Sequence, residues 1–542
     1  MGEAFMKSRT LTGSELWTTL LLFMAFLFGG IVRFTPAILA DFPINDGGMF
    51  YAMTGELQAN QYKLPETSSY NGLQIPFAYP PLGFYIAGLS SDLFGVDLLD
   101  IFLWLPAIYS TLTLVGFYLM ARSLLNSPAK GALATLFFAL IPRGISWFLM
   151  GGGVTRTLGQ LFLVLTVYCV YRSLARDSRR HLFFSMLFGG LACLSHPEVI
   201  IHAATACFLI VVFYVRSWRG ILHTALIVLG VLIVSSPWSL TVLSRTGIGP
   251  FITASQTGGH NPFFWLDLML PVFAEEKFIT LMTVLGLIGL AVELFKRRYF
   301  LPVWLIVPFF IEPRSASSIA IFPLALLAAI AVADLILPGL MRMQKKNGEG
   351  ADNSNDWVEM GLGGNPARIV LAYIAVVALI GAFSYSLGLA GYFVNRAERD
   401  AMDWVRTNTP AESRFIIITA NSRPLSDPIQ EWFPVIGKRK SQSTIQGLEW
   451  VKGSGFAGRL EALMDLQDCS NRETDCLSTW SAENSLEFDY VVVERYELVA
   501  SFKPEILPEV PALLLASLSD SPDYALVYKN DALSIFARIG TQ

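Results

Sequence analysis

Apolar residues in this chain come in long uncharged blocks, not at every second or every third to fourth position. Residues 20–31, 161–171 and 370–380 contain no charged side chain. A helix that crosses the hydrocarbon core of a bilayer needs about 20 mostly apolar residues. By that measure the blocks predict spans at roughly 16–34, 101–121, 131–150, 157–175, 181–196, 198–215, 221–243, 278–295, 300–312, 317–340 and 369–393. About eleven spans, an odd number, would place the termini on opposite sides of the membrane. Beyond residue 393 the pattern changes. Residues 396–407 have helical spacing with Trp404 and Val405 inward, and 414–419 and 488–494 read as strands. Residues 524–528 and 533–537 flank a Lys529-Asn530-Asp531 turn as a hairpin. Helix between strands predicts a small α/β domain.

The expected fold class is therefore a polytopic α-helical membrane protein with a C-terminal extracytoplasmic α/β domain. Its expected units are a transmembrane domain, 1–393, with a first outward loop at 35–100, and a soluble domain, 394–542. Composition agrees: 53% of residues are hydrophobic, 15% are charged, and mean hydropathy is +0.51. Soluble domains carry roughly 25% charge. Disordered, fibrous, nucleic-acid-binding and disulfide mini-protein classes are all excluded by these values.

The net charge of −4 hides an asymmetry. Up to Phe393 there are 24 Lys and Arg against 21 Asp and Glu, whereas from Val394 onward there are 15 against 22. Seventeen of those 24 cations, among them Arg122, Lys130, Arg172, Lys296 and Arg368, fall in one alternate set of loops. By the positive-inside rule that set is cytoplasmic, and with it the N-terminus. Residues 35–100, 244–277 and the tail then face outward, across the cell membrane. The first span is too long for a signal peptide and lacks a clean cleavage site, so it is expected to be a retained helix. Residues 341–368, polar and rich in Gly and Asn, read as a flexible cytoplasmic loop. Cys169, Cys193 and Cys207 lie in spans as small apolar residues. Cys469 and Cys476 share the outward tail, where a disulfide is permitted and free thiols stay open.

The first outward loop carries the chemistry. It runs Asp41-Phe-Pro-Ile-Asn-Asp46-Gly-Gly-Met-Phe-Tyr51, continues as a helical segment, and reaches Tyr79-Pro80-Pro81-Leu82-Gly83 before an amphipathic stretch to Phe94-Gly95. Long ordered loops are usually functional. Asp46 has two readings: an N-cap for the helix at 47–58, or an acid used in chemistry. An acid after the first span, a short helix, Pro-Pro-Leu near the membrane, a helix ending in Phe-Gly, then many spans and an outer domain resembles the GT-C glycosyltransferases. Protein O-mannosyltransferases and the bacterial lipid A aminoarabinose transferases share that layout. Asp46 matches the family's catalytic acid, and Tyr79-Pro80-Pro81-Leu82 matches its Lys/His-Pro-Pro-Leu motif. There are departures. Gly47 stands where a second acid often follows, Tyr79 replaces a cation, residues 151–157 carry no acid, and no Trp-Trp-Asp-Tyr-Gly motif occurs in the tail.

The resemblance implies an inverting transfer of a sugar from a polyprenyl-phosphate donor to a lipid, glycan or protein hydroxyl, with Asp46 as base. The donor phosphate needs cations or N–H groups. Arg314, at the outward start of a span, can take two phosphate oxygens beside a helix N-terminus; snorkelling or pairing with Glu312 is the alternative. Arg156, in the turn Gly151-Gly-Gly-Val-Thr-Arg156, is the second candidate, and Tyr79 the third. His196 and Glu198 are candidate sugar or acceptor contacts; His202 lies one turn from Glu198, so the two could share a ligand or simply pair. Asp41 is the rival base, or a turn residue before Pro43. His260 reads as a loop residue, and Arg143 and Asp334 as structurally paired. No cofactor is required; a divalent metal is left open, with no ligand set assigned. Two rivals remain: a lipid-linked-glycan transporter, and a non-catalytic membrane binding or assembly protein.

Overall fold

The computed structural model describes residues 13–256, 279–345, 364–421, 426–495 and 512–540. His260 and most of the 341–368 loop lie outside the described residues. In chain order the helices that concern the site are α1 (Gly13–Leu39), α2 (Gly48–Ala59), α3 (Leu82–Phe94), α4 (Leu98–Leu125), α5 (Pro128–Ala139), α6 (Gly153–Leu174), α7 (Arg179–Cys193) and α8 (Pro197–Tyr214). They are followed by α9 (Trp218–Thr246), α10 (Leu281–Phe295), α11 (Pro313–Ala331), α12 (Asn365–Leu389), α13 (Arg396–Asn408) and α14 (Pro428–Ile436).

Each expected span contains helix among the described residues, though not always one unbroken helix. Among the described residues seven helices are long and apolar enough to cross a membrane, α11 being counted with its continuation to Arg342. This is an integral membrane protein. The other four expected spans are shorter helices, and one departure matters for the site. Residues 131–150 are not one helix, because α5 stops at Ala139. Pro142 lacks an N–H and holds Ile141 in extended backbone (φ −83°, ψ 116°), so the helix cannot continue. Residues 140–152 instead hold a 3-10 turn at Pro142–Gly144 and a single helical turn at Ser146–Leu149 that lead into α6.

The core of the bundle is α11, almost wholly buried between its neighbours. Gly286 and Gly289 let α10 lie against it: a Cβ on Gly289 would stand 1.9 Å from the Leu327 carbonyl oxygen. Small residues are what allow helix backbones to approach this closely inside a membrane. Phe117, Phe138 and Phe322 tie α4, α5 and α11 together, with ring centroids 4.4–6.0 Å apart.

In the first loop β1 (Thr67–Ser68) and β2 (Ile75–Pro76) pair antiparallel, and the C-terminal region contains a five-stranded sheet of β3 (Arg414–Ile418), β4 (Lys440–Ser441), β5 (Tyr490–Glu494), β6 (Tyr524–Lys529) and β7 (Leu533–Arg538). The sheet order is β4-β3-β5-β7-β6, parallel on the β4-β3-β5 side and antiparallel thereafter. The four strands read from the sequence are present; β4, two residues long, was not read. Asn530 turns the β6–β7 hairpin by accepting the amides of Ala532 and Leu533 at 3.0 and 2.8 Å. A capping box of Asn395 and Glu398 starts α13. Cys469 and Cys476 are disulfide-bonded, with Cα atoms 5.7 Å apart.

Candidate active site

The site is where three segments distant in sequence meet: the turn after α1, the glycine turn before α6, and α14 of the C-terminal region. Asn45 and Gly47 both have positive φ, 51° and 120°, so the chain doubles back around Asp46. An isolated bridge between Ile44 and Phe393, and the Asn45 amide donating to the Tyr392 carbonyl at 2.7 Å, fasten this turn to the chain just beyond α12.

Asp46 does not cap α2. The N-cap is Gly47, without a side-chain cap of its own. The Asp46 carboxylate instead faces the glycine turn, where Oδ1 accepts the Gly152 amide at 2.7 Å and Oδ2 accepts from Arg156 at 3.2 Å. The three glycines have steric reasons, and a Cβ on Gly153 would lie 2.4 Å from the Phe148 carbonyl oxygen. A Cβ on Gly151 would lie 2.1 Å from the Asp46 carbonyl oxygen, and one on Gly152 would lie 2.6 Å from Oδ2. The anion that this turn receives is thus the chain's own carboxylate. Arg156 is held by the Trp147 carbonyl at 2.7 Å and by the Trp147 ring face at 5.5 Å. That carbonyl is available because the short helix Ser146–Leu149 ends there and the Gly151 amide goes to the Ile44 carbonyl instead. The side chains of Asp46 and Arg156 remain 13% and 22% exposed.

Tyr79 is buried beside this pair, its hydroxyl 3.4 Å from Thr155 Oγ1. Its ring meets Phe50, Trp450 and His196 at 4.7, 5.8 and 5.9 Å. Burial pushes its phenol well up, with Glu198 and Asp46 adding to the effect and Arg156 opposing it. Tyr79 is therefore a neutral hydroxyl, where a cation at that position would have carried charge. Glu198, on α8, lies 3.7 Å from Arg314 Nε, and the Arg314 side chain is 63% exposed. The end of α11 offered to a phosphate in the sequence reading is already occupied: Glu312 accepts the Ser315 amide at 2.8 Å. His202 is paired away from Glu198. It contacts Ser315 Oγ at 2.9 Å and Glu312 at 3.6 Å instead.

Asp46 thus pairs with Arg156, Tyr79 packs against His196, and Glu198 lies near Arg314. Asp41 lies apart, making two hydrogen bonds to Arg399 at 2.9 and 2.7 Å. Those bonds and the Arg399 charge hold its carboxyl below the usual range. Among the described residues no three His, Cys, Asp or Glu side chains stand close enough to hold a metal ion. The Asp46 oxygens already accept from an amide and a guanidinium, a donor set that does not suit a tightly held divalent ion.

Two residues next to Asp46 were not read from the sequence. Glu431 Oε1 accepts the Gly47 amide at 2.8 Å, and Trp432 Nε1 donates to the Asn45 carbonyl at 2.8 Å. Burial, then the Asp46 charge, push the Glu431 carboxyl up. Both sit in a short apolar segment of the tail, and only the tertiary fold carries them to the first loop.

Residues 78–240 match the model of the dolichyl-phosphate-mannose-protein mannosyltransferase family, which is less than half of the chain. No curated protein sequence matches significantly. Among solved structures, the oligosaccharyltransferase AglB of Archaeoglobus fulgidus, in complex with an inhibitory peptide and a dolichol-phosphate, superposes with TM-score 0.53 at 13% identity. That match covers 88% of this chain and 69% of AglB. ArnT of Cupriavidus metallidurans, bound to undecaprenyl phosphate, gives 0.52 at 16% identity over 97% of this chain and 98% of its own. The mycobacterial arabinofuranosyltransferase AftD gives 0.52 at 16% identity, covering 98% of this chain and 40% of AftD. The chain has the GT-C fold, and the resemblance drawn from the first loop holds at that level.

Proposed function

We propose that this protein is an inverting glycosyltransferase that moves a sugar from a polyprenyl-phosphate donor to an acceptor hydroxyl at the outer face of the cell membrane, with Asp46 as base. The observation that carries this reading is the Asp46–Arg156 pair, partly exposed at the junction of the first loop, the glycine turn and the C-terminal region. The family match over residues 78–240 and the polyprenyl-phosphate complexes of AglB and ArnT support the donor class.

Asp46 takes the acceptor hydroxyl proton as the oxygen attacks the anomeric carbon. The new C–O bond forms as the bond to phosphate breaks, and phosphate leaves with that electron pair. A single displacement inverts the carbon. Phosphate is a weak base, so no general acid is required. Charge growing on it is met by Arg314, which is exposed, and by the edge of Arg156 turned from Asp46. As the proton reaches Asp46, Arg156 is released from its pairing toward the phosphate, so one guanidinium can serve both ends of the reaction. His196 and Glu198, between the two arginines, would contact the sugar or acceptor, and Tyr79 would form an apolar wall with a neutral hydroxyl. No step is routed through a metal. In this reading residues 394–542 form an extracytoplasmic domain that covers the site.

The test is transfer or hydrolysis of radiolabelled polyprenyl-phosphate sugars in proteoliposomes, for the wild type and Asp46→Asn, with and without chelator. The expected result is wild-type turnover that Asp46→Asn abolishes while the protein stays folded, with no effect of chelator. Turnover unchanged by Asp46→Asn would overturn the base, and no turnover with any donor would overturn the transferase. Chelator sensitivity would overturn the metal-free step.

A further inference from the structure

Glu431 takes part in no step above, yet its surroundings are built around the turn that carries Asp46. It lies on α14, 384 positions from Gly47, and is 7% exposed. Its carboxylate sits at the N-terminal end of α2 and accepts the Gly47 amide at 2.8 Å. A helix start favours negative charge, and α2 supplies no side-chain cap of its own. Glu431 therefore caps a helix that belongs to another part of the chain.

The backbone around it is equally constrained. The Tyr70 hydroxyl donates to the Glu431 carbonyl at 2.7 Å, and a Cβ on Gly48 would come within 2.5 Å of that same oxygen. Trp432, the next residue, holds the Asn45 carbonyl and packs edge-on against Phe42 at 4.7 Å. Asn45, Asp46 and Gly47 are thus gripped on one side by Gly152 and Arg156, and on the other by Glu431 and Trp432. The charged groups acting on the Glu431 carboxyl are Asp46 and Glu449, both acids. With burial they push the carboxyl up, against the pull of the Gly47 amide at the helix start.

We infer that Glu431 is a positioning residue for Asp46, through which docking of the C-terminal region sets the geometry of the transfer centre; this rests on the transferase reading of that centre. The sequence shows no second acid after Asp46 or in the glycine turn. The second carboxylate of the centre arrives from α14 and acts on the backbone of the turn, not on substrate.

The test compares full-length wild type, Glu431→Gln and Glu431→Ala in proteoliposomes by amide hydrogen exchange, by kcat and KM for a polyprenyl-phosphate sugar, and by the pH dependence of kcat. In Glu431→Ala, exchange in the peptide covering 45–52 should quicken by about 10-fold or more while peptides from α4 stay unchanged, and kcat should fall about 10- to 100-fold with KM little moved. Glu431→Gln keeps an acceptor for the Gly47 amide. It should recover most of the kcat but lose an ionisation, above the ordinary glutamate range, that the wild-type profile shows. This variant also decides the matter where Glu431→Ala fails to fold. Unchanged exchange at 45–52, an unchanged kcat, a rise in KM alone, or identical pH profiles in wild type and Glu431→Gln would each overturn the inference. A wild type without turnover would sink the transferase reading, and the exchange result alone would then decide whether Glu431 positions the turn.

Discussion

Arg314, at the start of a helix that continues to Arg342, and Asp334, twenty residues further along it, lie about 30 Å apart. The charges gathered at those two places are arranged differently. Asp334 is met by two cations: it bonds Lys130 on one side and Lys296 at 2.7 Å on the other. Asp46, at the Arg314 end, has one cation at 3.2 Å and one backbone amide at 2.7 Å. Their side chains are almost equally exposed, 14% and 13%. Exposure therefore does not distinguish them. Asp334 has its charge fully answered and holds helices together. Asp46 sits among groups that retain bonding capacity, with the Arg156 fork shared and Arg314 largely exposed. A carboxylate that must take a proton and give up a cation during a reaction belongs in the second setting.

That contrast can be broken by experiment, and the largest effect should come from Asp46. Asp46→Asn should lower the transfer rate by about 10²- to 10⁴-fold, the usual worth of a general base, with little change in Tm. If Tm falls as far as activity, the two acids are alike and the comparison fails. Gly152→Ala comes next: its methyl would stand 2.6 Å from Asp46 Oδ2, so the carboxylate or the turn has to shift. About a 10- to 100-fold loss of kcat is expected, since small displacements at a reacting centre cost that much. Asp334→Asn should do the reverse and cost about 1–3 kcal/mol in thermal or denaturant unfolding, through two under-compensated lysines, with kcat unchanged. Asp41→Asn should have the smallest effect, at most about 0.5 kcal/mol and weaker in high salt, because the side chain is 60% exposed. The folded-state pKa of Asp41 is depressed by Arg399, so its small stabilisation is present above the ordinary value of 3.8. It fades as the pH falls through the lower folded value, and the Arg399→Ala variant should lack that fade.

The helical blocks were legible because burial in lipid demands continuous apolar runs, and a run shows in sequence without any knowledge of its partners. The break at Pro142 hid inside such a run, since a single proline barely alters hydropathy while it ends a helix. Asp46 and Arg156 were legible as candidates from loop length and from the glycines around them. Their pairing was not, because it depends on the glycine turn approaching to within a methyl group of the Asp46 backbone. The helix start at Arg314 was read as a phosphate site, with pairing to Glu312 as the alternative; in the structure Glu312 accepts the Ser315 amide and Arg314 lies nearer Glu198, because proximity in sequence does not say which way a side chain turns. Glu431 had no local signal at all. An acid in an apolar stretch reads as a surface residue until the fold carries it hundreds of positions back to the first loop.

The most direct test of the account is a structure of the full chain in lipid nanodiscs with a polyprenyl phosphate bound. The phosphate is expected within hydrogen-bonding distance of Arg314 or Arg156, with the Asp46 carboxylate facing the space beside it. A phosphate seated on Lys130 and Lys296, beside Asp334 of the same helix, would contradict the account.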